Sequence, residues 1–94
     1  MEQDTKHLRI HGIVQGVYYR AWAKEQAERM LLTGWVRNVR KDKSVEALVT
    51  GYPDQVQKFI SALYQGPSGA KVSAIEVNDG VDEELKSFEI RDTV

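Results

Sequence analysis

Residues 10–20 read Ile10-His11-Gly12-Ile13-Val14-Gln15-Gly16-Val17-Tyr18-Tyr19-Arg20. An apolar alternation ends at Gln15-Gly16, and two tyrosines then lead into Arg20 at the start of a helix-like pattern. A glycine turn between a strand and a helix is a ready anion site. The first N–H groups of a helix have no internal partners, and its dipole places partial positive charge there. Arg20 adds a planar, permanently charged fork that matches phosphate or carboxylate oxygens. Many surface turns hold a glycine and an arginine, so this turn alone does not define a site.

Upstream, Met1–Thr5 is polar and expected to fray. From His7 the side chains alternate, with Leu8, Ile10, Gly12 and Val14 on one face and His7, Arg9, His11 and Ile13 on the other. That is the pattern of a half-buried strand. Downstream, Ala23, Ala27, Met30 and Leu31 recur at helical spacing while Lys24, Glu25, Glu28 and Arg29 are left for solvent. This predicts an amphipathic helix from about Arg20 to Leu32, ended by Thr33-Gly34.

Two strand-like runs follow, Trp35–Arg40 and Ser44–Thr50, around the charged turn Lys41-Asp42-Lys43, and together they predict a hairpin. Gly51 breaks the second run. Pro53 suits the first turn of a second helix, whose Val56, Phe59, Ile60 and Leu63 form an i, i+3, i+4, i+7 stripe. Gly66-Pro67 stops it. Ala70–Val77 reads as a strand whose alternation slips: Ala70, Val72 and Ala74 share one parity, Ile75 and Val77 the other. A bulge near Ala74 would re-phase the faces. Asn78–Lys86 is an acidic loop, and Ser87–Arg91 is a short last strand with Phe88 and Ile90 inward.

The order is β-α-β-β-α-β plus a short strand. The expected fold class is α+β: a ferredoxin-like sandwich, with an antiparallel sheet of four to five strands and two helices on one face. In this topology the first two strands run parallel on either side of the third, so their C-terminal ends share one sheet edge. Asn38, with the parity of Val36, then faces Gln15–Arg20 across about 10 Å. Two inward-leaning side chains and a small anion fill such a gap.

Ninety-four residues with a net charge of −1 make one domain, 1–94, without electrostatic bias toward nucleic acid or an anionic membrane. The absence of cysteine excludes disulfides, thiol nucleophiles and thiolate metal sites. The N-terminus lacks the apolar core of a signal peptide, and no run is long enough to span a membrane, so a cytoplasmic location is expected. His7 and His11 read as an outward surface pair rather than metal ligands. Trp22 and Trp35 read as packing residues. The basic residues Arg37, Arg40, Lys41 and Lys43 read as a solvated turn, or as a patch that steers an anion inward.

The two halves together resemble the signatures of the acylphosphatase family. Ile10 to Val17, with Arg20 after two aromatics, is similar to the first signature; Gly34-Trp35-Val36-Arg37-Asn38, then Ser44-Val45 and Gly51, is similar to the second. Gly66-Pro67 and Gly69-Ala70-Lys71-Val72 resemble a further family segment, so the likeness covers His7 to about Val77. The resemblance implies an enzyme that hydrolyses the carboxyl–phosphate bond of small-molecule acyl phosphates, without metal or other cofactor. It implies Arg20 as the phosphate-holding residue and Asn38 as the residue that places the attacking water. It also implies a cradle of backbone N–H groups over Gln15, Gly16, Val17, Tyr18 and Tyr19. Phosphate or another oxyanion would occupy that site, and the expected protein is a monomer with no nucleic-acid or membrane partner.

Several positions depart from the family pattern. Tyr18 stands where a glycine or small residue is usual, and Tyr19 where phenylalanine is usual. The Val39–Ser44 hairpin is one residue longer and lacks its turn glycine, and Leu31 stands where glycine is frequent late in the first helix. A bulky residue at Tyr18 is a poor choice if the turn needs positive φ there. The alternative to an acylphosphatase is therefore a weak or inactive phosphate-binding module on the same fold. An RNA-binding version would carry exposed aromatics on its central strand, and Ser44–Thr50 has none.

Overall fold

The computed structural model describes residues 2–94. Its elements are β1 (Asp4–Ile13), α1 (Tyr19–Arg29), β2 (Thr33–Asn38), β3 (Val45–Gly51), α2 (Pro53–Gln65), β4 (Lys71–Asp79) and β5 (Phe88–Ile90). The strands form one sheet in the order β4-β1-β3-β2-β5. Both helices cover one face. Leu8, Ile10, Val36, Val45, Ala47 and Val49 meet Ala23 and Ala27 of α1 and Val56, Phe59, Ile60 and Leu63 of α2 in the buried core. Burying an apolar side chain of this size contributes about 1.5–3 kcal/mol before the ordering entropy is set against it. This is the ferredoxin-like α+β sandwich that the element order predicts.

Beyond shifts of one or two residues at the ends of β2 and β4, the structure departs from the sequence reading at the N-terminus, at the end of α1 and in the last strand. Asp4 and Thr5, expected to fray, already belong to β1, because they pair with Gly51 and Thr50 at the far end of β3. Met1 lies outside the described residues. Helix α1 stops at Arg29 instead of running to Leu32. Leu32 N–H donates to the Ala27 carbonyl at 2.9 Å and Leu31 N–H to the Glu28 carbonyl at 3.2 Å, around Leu31 at φ 57°. That is a Schellman closure with a left-handed residue, the position glycine usually takes. Leu31 therefore leaves the apolar stripe and stands 89% exposed. Glycine at this position would relieve the left-handed strain without losing packing, offset in part by greater freedom of the unfolded chain. Leu31→Gly is expected to stabilise by about 0.5–1 kcal/mol and to raise Tm by about 4 °C in a thermal melt.

The third difference concerns the last strand. The sheet is mixed, because β5 pairs parallel with β2 (Gly34 with Phe88, Val36 with Ile90). β4 occupies the opposite edge, so the chain must cross the sheet after Asp79 and reverses once in doing so. The acidic segment is that crossing. Gly80 N–H donates to the Thr5 carbonyl at 3.0 Å, Thr50 Oγ1 to Asp82 at 3.4 Å, and Trp35 Nε1 to Glu83 at 3.0 Å. The guanidinium groups of Arg37 and Arg91 lie 4.6 and 5.2 Å from the Trp35 ring centroid. It packs, as its sequence context predicts, on the face away from the helices.

The slip in β4 is a bulge. His11 faces Ala74 and Gly12 faces Val72, leaving Ser73 as the extra residue. On the face without helices, His7 Nε2 lies 2.6 Å from Glu46 and His11 Nε2 lies 2.7 Å from Glu76. Arg37 Nε donates to the other Glu46 oxygen at 2.7 Å. Burial pushes the Glu46 carboxyl up, but the hydrogen bonds from His7 and Arg37 outweigh it and hold the group below its ordinary range.

Candidate active site

The turn between β1 and α1 is built from two left-handed residues. Gly16 has φ 75° and Tyr18 has φ 65° and ψ 23°. A side chain at Gly16 would meet nothing within 4 Å, so glycine is required there by backbone angle and not by space. Alternation of this kind turns successive N–H groups toward one concavity. Tyr18 is also the residue preceding α1. The helix has no side-chain cap and no acidic residue in its first turn. Its first N–H groups and its dipole therefore remain available to an anion.

The concavity holds about 230 Å³ and is lined by Val14, Gln15, Gly16, Tyr18, Tyr19, Arg20, Ala21, Asn38 and Ile90. Asn38 arrives as the topology predicts, because β1 and β2 flank β3. Its register partner is Val45, on the helix-facing side of β3. Two groups here are uncommitted to the protein. The Asn38 Oδ1 atom is buried and accepts no hydrogen bond from it. Arg20, half-buried, takes no part in the ion pairs formed among the described residues. A buried acceptor without a donor is costly, and such atoms in native proteins call for a water or a ligand.

The hairpin that carries Asn38 is tied to the turn. Gln15 Nε2 donates to the carbonyls of Val39 and Ser44, at 3.1 and 2.9 Å. Gln15 thus lines the cavity while its carboxamide braces the neighbouring element. The missing turn glycine is replaced by Lys43 at φ 61°, and Asp42 accepts from Ser44 N–H at 3.1 Å and from Ser44 Oγ at 2.6 Å. The longer hairpin therefore closes without displacing Asn38 from the cavity. On its other side Val94 N–H donates to the Asn38 carbonyl at 3.1 Å, and Arg40 N–H to the Val94 carbonyl at 2.7 Å.

The two tyrosines do different things. Tyr19 is 2% exposed, and its hydroxyl donates to the Leu63 carbonyl at 2.6 Å, near the C-terminus of α2. Burial pushes that hydroxyl well above its ordinary pKa. Tyr18 does occupy the positive φ that disfavours bulky residues, yet its ring does not fill the cradle. It is 65% exposed, with its hydroxyl on Glu25 at 3.0 Å. Val17, whose backbone N–H was expected in the cradle, turns its side chain against the core. Val14, Ala21 and Ile90 also line the cavity, although the sequence reading placed none of them in the site. Helical proximity to Arg20 could have suggested Ala21, but nothing local points to Ile90.

The uncapped start of α1, an arginine outside the ion pairs and a donorless asparagine oxygen meet at one sheet edge, which places the molecule in the class of oxyanion-binding α+β sandwiches. Within that class, the chain belongs to the acylphosphatase family, whose model matches residues 6–90. It is 48% identical over 90 residues to the acylphosphatase of Acidovorax sp. (strain JS42), covering 96% of this chain and 92% of that relative. It is 54% identical over 82 residues to that of Azoarcus sp. (strain BH72), covering 87% and 83%. The crystal structure of acylphosphatase from Bacillus subtilis superimposes with a TM-score of 0.89 at 32% identity, over 96% of this chain and 99% of that one.

Proposed function

We propose that Arg20, Asn38 and the backbone of Gln15–Tyr19 carry out the family's reaction in this chain, the hydrolysis of a small-molecule acyl phosphate to a carboxylate and phosphate. The observation that carries the assignment is the pairing of an uncommitted guanidinium with a buried, donorless Asn38 Oδ1 in one cavity. Arg20 and the turn N–H groups bind the phosphoryl oxygens and stabilise the charge they gain in the transition state. Asn38 Oδ1 accepts a hydrogen bond from water and directs its oxygen at phosphorus.

The chemistry asks little more of the protein. An acyl phosphate is a mixed anhydride whose leaving group is a stable carboxylate. As the water oxygen bonds to phosphorus, the bridging P–O bond breaks and its electron pair leaves on the carboxylate. The water proton passes to a phosphoryl oxygen, since among the described residues no histidine or carboxylate lines the cavity. Positioning and electrostatic stabilisation are then the main contributions.

The test is release of phosphate from benzoyl phosphate by purified protein in the presence of a chelator. Turnover well above buffer is expected. Turnover at the buffer rate, in protein that phosphate nevertheless protects against heat, would leave only a binding module.

A further inference from the structure

The cavity has two ends of different chemistry. Arg20, Asn38 and the turn backbone form the polar end. Val14 and Tyr19 are buried below, while Tyr18 and Ile90 are 65% and 43% exposed and so stand at the mouth. Among the described residues, Arg20 is the only charged one in the wall. The tyrosine at the mouth is held in place from both ends. Its backbone is fixed at φ 65°, and its hydroxyl donates to Glu25 Oε1 at 3.0 Å, two helical turns along α1. Ile90 reaches the same opening from β5, an element unrelated in sequence to the turn.

A substrate whose phosphoryl group sits at Arg20 has its acyl carbon one bridging oxygen away, so the acyl substituent must leave through the mouth. We propose that Tyr18, with Ile90, is a specificity-determining residue that selects acyl phosphates with a flat, apolar acyl group. This inference rests on the acyl phosphate reading of the same cavity. A planar ring finds an aromatic face and a branched aliphatic side chain, a pairing favoured over the same surfaces in water. An acyl group that lies along Tyr18 meets Glu25 behind its hydroxyl, whereas one long enough to pass Ile90 comes to Arg37 and Arg91 in the adjoining cleft. A short acyl group such as acetyl reaches neither wall.

The experiment compares kcat/KM for benzoyl phosphate and acetyl phosphate in the wild type, Tyr18→Gly and Ile90→Ala. Glycine accepts φ 65°, so Tyr18→Gly keeps the turn, and a thermal melt verifies the fold of each variant. The benzoyl-to-acetyl ratio is expected to fall about three- to tenfold in Tyr18→Gly, the range of one aromatic contact, chiefly through KM for benzoyl phosphate. Ile90→Ala should lower the ratio in the same direction. A ratio unchanged in Tyr18→Gly, with the wild type active on both substrates, overturns the inference alone. A wild type that turns over neither substrate overturns the acyl phosphate reading and this inference with it.

Discussion

Replacing Arg20 by alanine is expected to lower kcat/KM for benzoyl phosphate by about 10³-fold or more, equivalent to roughly 4 kcal/mol of lost transition-state stabilisation. The size follows from what surrounds it. Among the described residues no other charged side chain lines the cavity, so none in its wall can replace the guanidinium. The helix terminus and the turn N–H groups remain in the variant, and they leave a residual rate. Arg20→Lys restores the charge but not the planar fork, so it should recover only part of the loss. Because Arg20 forms no ion pair among the described residues, its removal breaks none, and Tm should move little. Steady-state kinetics and a melt on the same preparations check both halves. A variant within tenfold of wild type would remove Arg20 from the phosphate site.

Replacing Asn38 by alanine is expected to lower kcat by about 10²–10³-fold with a small change in KM. Asn38 is assigned to the water and not to the phosphoryl group, so ground-state binding through Arg20 and the turn should survive. Stability gives an independent check. Deleting a hydrogen-bonded buried group typically destabilises, whereas the Asn38 Oδ1 atom has no partner in the protein to lose. The fold of Asn38→Ala should therefore stay within about 1 kcal/mol of wild type in denaturant titration. A loss that appeared only in KM would place Asn38 on the phosphate instead. The same kinetics taken against pH should show no essential protein base near neutrality, as expected if the substrate phosphate accepts the proton.

Much of this was legible in the chain, for reasons that are local. Strand alternation from His7, the α2 stripe from Val56 to Leu63 and the slip in Ala70–Val77 depend on periodicities of neighbouring residues. The slip is the bulge at Ser73. The glycine turn before Arg20 is equally local, because backbone angles and the helix terminus need no distant partner. What escaped the sequence was set at a distance. Leu31 looked like a continuation of the α1 stripe, but the Schellman closure onto Ala27 turned it outward. The direction of β5 depended on which edge β4 occupied, and periodicity within Ser87–Arg91 carries no such information.

The site divides along the same line. The amino-acid sequence by itself determined which groups can act: a permanent cation at Arg20, a neutral acceptor at Asn38, and a turn whose N–H groups are unspent because a helix must begin there. It also marked Tyr18 as unusual. The tertiary structure alone decided that the Asn38 oxygen is buried without a donor, and that Gln15 braces the hairpin carrying it. It also decided that Tyr18 bears the left-handed φ with its hydroxyl on Glu25, and that Ile90 from the last strand joins it in the cavity wall. Hydrogen-bond satisfaction and side-chain direction are properties of the packed environment, and residues separated by the length of the chain supply that environment only once it has folded.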